Sequence, residues 1–209
     1  MKIAVVCANG KAGKLIVQEA VARGADVTAV VRGENRSAAI RVIRKDLFAL
    51  QKEDLAGFDV VIDAFGAWSD ETYPQHSTTL KHLCDVLSGT GIRLLVVGGG
   101  GSLYVNQEHT LEVADSPDFP AAFKPLAAAM DQALGELRAR QDVRWTYISP
   151  AGDFQADGER SGAYILGGEE LTLNSRGESV ISYADYAIAL VDEAMGGSNI
   201  QERISVVRK

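Results

Sequence analysis

Ile3-Ala4-Val5-Val6-Cys7-Ala8-Asn9-Gly10-Lys11-Ala12-Gly13 is an apolar run broken by a glycine turn; Lys14 to Arg23 follow with helical spacing, and a second apolar run, Val27 to Val31, ends at Arg32. Strand, glycine turn, helix and strand in that order make a βαβ unit, and this context gives the turn its meaning. A helix starting near Lys11 aims unpaired backbone N–H groups and the positive end of its dipole at whatever lies above the turn, a place that suits pyrophosphate. Gly10 lets the backbone come close to the phosphates, and Gly13 lets the helix lie against the first strand. The stretch reads as a dinucleotide site with Cys7, Asn9, Gly10, Lys11, Ala12 and Gly13 as its floor.

The end of the second strand indicates which dinucleotide. An acid there accepts hydrogen bonds from a ribose 2′-hydroxyl, whereas an arginine accommodates a 2′-phosphate. Here the strand closes Val30-Val31-Arg32, Arg36 and Ser37 lie just beyond, and the nearest acid, Glu34, comes two residues too late. The planar donor fork of a guanidinium fits phosphate oxygens. NADP(H) is therefore expected over NAD(H), with Arg32 and Arg36 at the 2′-phosphate; the alternative is that both are ordinary solvated charges.

A chain of 209 residues can bury one substantial core, so one domain spanning residues 1–209 is expected, with a small C-terminal lobe on the substrate side. The net charge of −7 argues against a nucleic-acid or anionic-membrane surface. No stretch is apolar and long enough to span a bilayer, and the first strand begins without a signal-peptide pattern. Cys7 and Cys84 do not make a disulfide framework, and the cytoplasm is the expected location. His76, His82 and His109 have no metal-ligand spacing with the cysteines, so no metal site is expected.

After Arg32 short apolar strands keep alternating with helical stretches: Ile40 to Ile43, Asp59 to Ala64, a helix over Ser77 to Leu87, Arg93 to Val97, an alanine-rich helix over Ala121 to Arg140, Arg144 to Ser149, and a last strand over Arg203 to Val207. Ser182 and Asp185 read as a reciprocal capping box opening a helix to about Met195. This rhythm predicts an α/β fold, a doubly wound Rossmann-type parallel sheet with helices on both faces. Two segments break it, residues 98–120, beginning Gly-Gly-Gly-Gly-Ser, and residues 150–180. Both follow strand C-termini, where ligands of open α/β sheets lie, and together they are expected to build a substrate pocket.

Four segments in this order resemble an atypical member of the short-chain dehydrogenase/reductase superfamily: Cys7 to Gly13, Gly98 to Tyr104, Trp145 to Ala151 and Ile181 to Ala187. The likeness is to small NAD(P)H-binding proteins of the NADH-flavin reductase type, near the biliverdin reductase B and flavin reductase group, and covers essentially the whole chain. It implies that Gly10, Lys11 and Gly13 lie under the pyrophosphate, Asp46 and Leu47 near the adenine, and Phe65, Gly66 and Ala67 on the adenosine side. It further implies that Gly98, Pro150 and Ala151 belong to the cofactor site, the last two bordering the nicotinamide, and that Ser102 sits where the superfamily often keeps a catalytic or substrate-contacting hydroxyl. Asp46 has the alternative of capping the following segment, and Pro150 of simply ending its strand.

Two departures bear on chemistry. Cys7 stands in place of the motif's first glycine, which predicts a turn whose first residue keeps a negative φ; its thiol is either a small buried group or a redox-sensitive one. The superfamily's Tyr-x-x-x-Lys pair is missing, since none of the tyrosines is followed by lysine four residues later. That weakens alcohol oxidation, which needs a phenolate to take a proton, and equally sugar epimerisation. Hydride transfer to a flavin or quinone survives, because the electronic work belongs to the two cofactors. In this reading FMN or another flavin is a substrate, Ser102 donates a hydrogen bond to the acceptor, Tyr104 is a second candidate for proton delivery, and Trp68, Phe119 or Phe154 stacks on the acceptor ring. The plainer alternatives are that Ser102 ends the glycine turn and the aromatic residues are packing. A different class of function, a non-catalytic NADPH-binding sensor that signals through its long loops, needs the same cleft, and a homodimer is compatible with either.

Overall fold

The computed structural model describes all 209 residues. In chain order the elements are β1 (Lys2–Val6), α1 (Lys11–Ala22), β2 (Asp26–Val31), β3 (Arg41–Arg44), β4 (Val60–Asp63), α2 (Gln75–Leu87), β5 (Arg93–Val97), α3 (Lys124–Arg138), β6 (Arg144–Pro150), β7 (Asp153–Gln155), β8 (Tyr164–Gly167), β9 (Val180–Ser182), α4 (Tyr183–Gly196) and β10 (Glu202–Arg208). The main sheet has the order β3-β2-β1-β4-β5-β6-β10-β8, parallel throughout except for β8, which pairs antiparallel with β10 at the edge. A separate parallel pair joins β7 to β9.

The strands are near-continuous apolar runs because both faces are covered. Ile3 and Val5 of β1 face a core shared with Ile16, Val17 and Ala20 of α1 and Tyr186, Leu190 and Val191 of α4. Ala4 and Val6 face the opposite core, with Leu80, Leu83 and Leu87 of α2 and Leu134 and Leu137 of α3. The winding reverses between β1 and β4, so a crevice opens above the ends of those two strands.

Several expectations are corrected. The third strand is Arg41–Arg44, one residue later than its apolar pattern suggests, because its register against β2 starts at Thr28 with Arg41. The alanine-rich helix opens as a 3-10 turn over Ala121–Phe123 and runs as α-helix only to Arg138. The segment 150–180 is not irregular throughout, since it supplies β7, β8 and, with the next two residues, β9. At α4 the Ser182 hydroxyl accepts from the Asp185 N–H at 3.0 Å, but Asp185 does not reciprocate. Its buried carboxylate takes the Ser161 N–H at 3.1 Å, the Ser161 hydroxyl at 2.7 Å and the Gly162 N–H at 2.9 Å. Three donors from a neighbouring loop outweigh the one that capping would satisfy. No helix is long and apolar enough to cross a membrane.

Candidate cofactor site

The turn after β1 is built around one carbonyl. Cys7 O accepts from the Gly10 N–H at 2.9 Å, and Gly10 O accepts from Lys14 N–H at 3.0 Å as the first bond of α1. Lys11, Ala12 and Gly13 precede any carbonyl that could take their N–H groups, so these donors point out over the turn. A Cβ on Gly13 would lie 2.6 Å from Cys7 O and 3.0 Å from Ala8 Cα, and one on Gly10 would lie 3.3 Å from Cys7 O. Bare backbone and free donors at a helix N-terminus fit the pyrophosphate of a dinucleotide.

Cys7 overturns its expected conformation: φ is +60°, in the left-handed region. A non-glycine residue bears a strain of about 1–2 kcal/mol there. Burial first, then the nearby Asp63 carboxyl, pushes the Cys7 thiol up to about 12, with Arg32 opposing. A thiol held up in this way favours its protonated form.

Asn9 ties the turn to the loop after β2. Its Nδ2 donates to Glu34 O at 2.8 Å, and its Oδ1 accepts from the Arg36 N–H at 2.7 Å. Within the same loop Asn35 Oδ1 accepts from Ser37 N–H at 3.0 Å, and its Nδ2 donates to Ala39 O at 2.7 Å. Arg32 and Arg36 are exposed on this braced loop, whereas Arg41 is already paired with Asp26. Asp46 does what its plainer reading says, accepting from Phe48 N–H at 2.9 Å to cap the 3-10 turn Leu47–Ala49, with the Leu47 side chain in the core.

At the end of β4 the buried Asp63 accepts from Phe65 N–H at 3.0 Å. Burial pushes this carboxyl up to about 6, with that hydrogen bond opposing. Sequence reasoning passed over Asp63; the signal was there, an acid closing the apolar run Val60-Val61-Ile62. Phe65 packs edge-on against His76, centroids 5.4 Å apart. Ala67 is buried, Gly66 is exposed, and Trp68 stands 69 % exposed beside it.

The glycine run after β5 is explained by packing. A Cβ on Gly98 would fall 2.3 Å from the Tyr147 ring, on Gly99 2.9 Å from Met130 Sδ, on Gly100 2.8 Å from Pro150 O and on Gly101 2.7 Å from Ala127 Cβ. The run threads between α3 and the end of β6, where Pro150 and Ala151 are buried. It leads to Ser102 and Tyr104, and both are held by contacts with distant segments. Ser102 is 5 % exposed, and its carbonyl and Oγ accept from Arg203 Nη1 at 2.8 and 3.0 Å. Arg203 is in register with Tyr147, three residues before the Val206–Pro150 pair that marks the end of β6. Arg203 also donates to Glu169 O at 3.0 Å, pairs with the Glu169 carboxylate and lies 5.4 Å from the Tyr104 ring centroid. Tyr104 bridges to Glu112 and Glu170 and stacks on His109 at 4.4 Å. Both residues thus belong to a brace that ties the two long segments together. The Ser102 Oγ is buried and accepts from Arg203.

Of the aromatic candidates, Phe154 is packing, 4.0 Å from Tyr183 and 4.8 Å from Tyr186. Phe119 is half-buried, and Trp68 alone presents a largely free ring.

The sequence matches the NAD(P)H-binding family over residues 7–194. This chain belongs to that family. A Bacillus subtilis protein of uncharacterised function, YwnB, is 40 % identical over 99 % of this chain and 98 % of its own. The crystal structure of a candidate NADH-flavin reductase from Streptococcus pneumoniae is 55 % identical over the full length of both chains, with a TM-score of 0.98. A candidate epimerase from Bacteroides thetaiotaomicron is 32 % identical over 99 % of this chain and 96 % of its own, with a TM-score of 0.85. The Cys7–Gly13 turn and the Asp63–Ala67 segment follow the two strands that flank the strand-order reversal, and Asn9 bonds the turn to the Arg32–Arg36 loop.

Proposed function

We propose that this protein is an NAD(P)H-dependent oxidoreductase that prefers NADPH and reduces a flavin or quinone acceptor. The observation that carries the reading is the crevice itself: an anion-fitting turn joined through Asn9 to a loop that presents Arg32 and Arg36 without an acid at the ribose position. The nicotinamide, when bound, supplies the hydride. The N–H groups of Lys11 to Gly13 hold the pyrophosphate, Arg32 and Arg36 take the 2′-phosphate, and the backbone of Leu47 and the Phe65–Ala67 segment border the adenosine half. Gly98, Pro150 and Ala151 close the nicotinamide end, and Trp68 offers a platform for the acceptor ring. Positioning and exclusion of water are what such a site contributes, and they need no dedicated acid.

The strong likeness to the pneumococcal candidate NADH-flavin reductase supports the flavin. The likeness to a candidate epimerase carries less weight, because this chain has no Tyr-x-x-x-Lys pair. The test is oxidation of NADPH and NADH, followed by loss of nicotinamide absorbance, with and without FMN, riboflavin and a simple quinone. Acceptor-dependent turnover supports the proposal. Firm NADPH binding without stimulation by any acceptor replaces it with a sensor. Arg32→Ala is expected to weaken NADPH binding about 10- to 100-fold, the value of a lost charge-assisted contact, while leaving NADH within about twofold. Equal losses for the two dinucleotides would remove the 2′-phosphate role.

A further inference from the structure

Asp63 is a buried acid at the crevice to which the proposed reaction gives no task. It closes β4, in register with Val6 of β1 on one side and Val96 of β5 on the other. That places it at the reversal of strand order, about 5 Å across the ladder from the residue that leads into the glycine turn. Only 4 % of the residue is exposed, and Oδ1 is engaged by the Phe65 N–H. No cation stands close enough to compensate the carboxylate. Its charge acts on Cys7 from the β1 turn, Cys84 from α2 and the Tyr147 hydroxyl from β6, all three held up in pKa chiefly by burial. His76, also on α2, is held in its neutral form by burial, and its Nε2 has no partner. Arg32 and Asp46 act on Cys7 from the ends of β2 and β3, with opposite signs.

A buried carboxylate without a counter-ion beside an anion-binding turn conflicts with the ligand that the turn fits. Phosphate charge brought to the N-terminus of α1 repels it, and a neighbouring negative charge favours the protonated form of a carboxyl. We infer that Asp63 becomes more protonated when the dinucleotide binds and returns those protons to solvent when the dinucleotide leaves, so that cofactor affinity is proton-linked through this carboxyl. The inference rests on the crevice being the dinucleotide site. In the free protein the carboxyl titrates at about 6, so near neutrality it is largely ionised and free to gain the proton.

The experiment is calorimetric titration of the whole protein with NADH and with NADPH in two buffers of different ionisation enthalpy, comparing wild type with Asp63→Asn. An upward displacement of about one pKa unit predicts uptake of about half a proton per NADH near pH 6.5 by wild type and close to none by the variant. NADPH adds the titration of its own 2′-phosphate to both proteins, so the wild-type excess persists. Wild-type affinity for NADH is expected to fall about three- to tenfold between pH 6 and 8, and that of the variant to stay level. Equal proton uptake by the two proteins overturns the inference and leaves the dinucleotide site standing; failure of both proteins to bind either dinucleotide removes the site and the inference together. Should Asp63→Asn not fold, carbon-13 titration of the Asp63 carboxyl in wild type decides. An upward move with NADH supports the linkage, and an unchanged curve rejects it.

Discussion

Cys7 and Asp63 show how single residues take their properties from backbone position. Cys7 is left-handed at φ +60° in the turn after β1, and burial is the main influence on its thiol. A thiol titrating at about 12 is almost entirely protonated at pH 8, so alkylation by iodoacetamide under native conditions is expected to run at least about 100-fold slower than for an exposed cysteine. Mass spectrometry of the Cys7 peptide checks this, and rapid labelling would restore the redox reading. For Asp63 the sign follows from proton counting. The folded carboxyl titrates at about 6 and the unfolded one at about 3.9, so between those values the folded state binds more protons and stability falls as pH rises. Above about pH 6 the loss is complete. Asp63→Asn keeps an acceptor for Phe65 N–H without the charge, and is expected to stabilise the free protein by up to about 3 kcal/mol at pH 7–8, a gain that vanishes below about pH 4. Denaturant unfolding across that range measures it.

At the scale of elements, the most consequential contact is one arginine serving three segments. Arg203 of β10 donates to Ser102 O and Oγ and to Glu169 O, and pairs with the Glu169 carboxylate, which also takes Arg138 Nη2 at 2.7 Å. Its side chain is 1 % exposed. Removing a buried charge that holds several acceptors is far costlier than removing one of those acceptors. Arg203→Ala is thus expected to destabilise by about 3–5 kcal/mol and to loosen residues 98–104 and 168–171 together, seen as faster amide exchange in both. Ser102→Ala removes one neutral acceptor, with an expected cost of about 1 kcal/mol and little change in NADPH oxidation. A large fall in turnover with NADPH affinity retained would return Ser102 to the reaction. A run of glycines followed by serine carries no sign of this in the sequence, because the partner arginine lies 101 residues away.

For the molecule as a whole, one sheet serves two cores. Leu83 and Leu190 are fully buried on opposite faces, with the sheet between them. Each substitution to alanine is expected to cost about 3–5 kcal/mol, and the double variant to lose the sum within about 0.5 kcal/mol, since the two share no neighbours. A single denaturant transition in each variant would confirm one cooperative unit; two separated transitions would divide it.

What was legible in the sequence was local or strictly periodic. The first βαβ unit, the strand–helix alternation and the glycines at Gly10 and Gly13 follow from hydrophobic period and turn chemistry, which neighbouring residues carry among themselves. The antiparallel edge strand β8, the β7–β9 pair and the true partners of Asp185 were illegible, because short strands and loop anchors owe their structure to contacts far along the chain. Asp46, read either as an adenine contact or as a cap, makes the cap bond, which spans only two residues. Ser102 and Tyr104 resembled reacting groups in one dimension and are joined to a distant arginine in three. The chain order alone determined that this protein is a parallel α/β fold with an anion-fitting turn at its start. Only tertiary structure decided which polar groups stand at the crevice and which are consumed in holding it, because burial and long-range hydrogen bonding, not residue type, set whether a hydroxyl or carboxyl remains free to act.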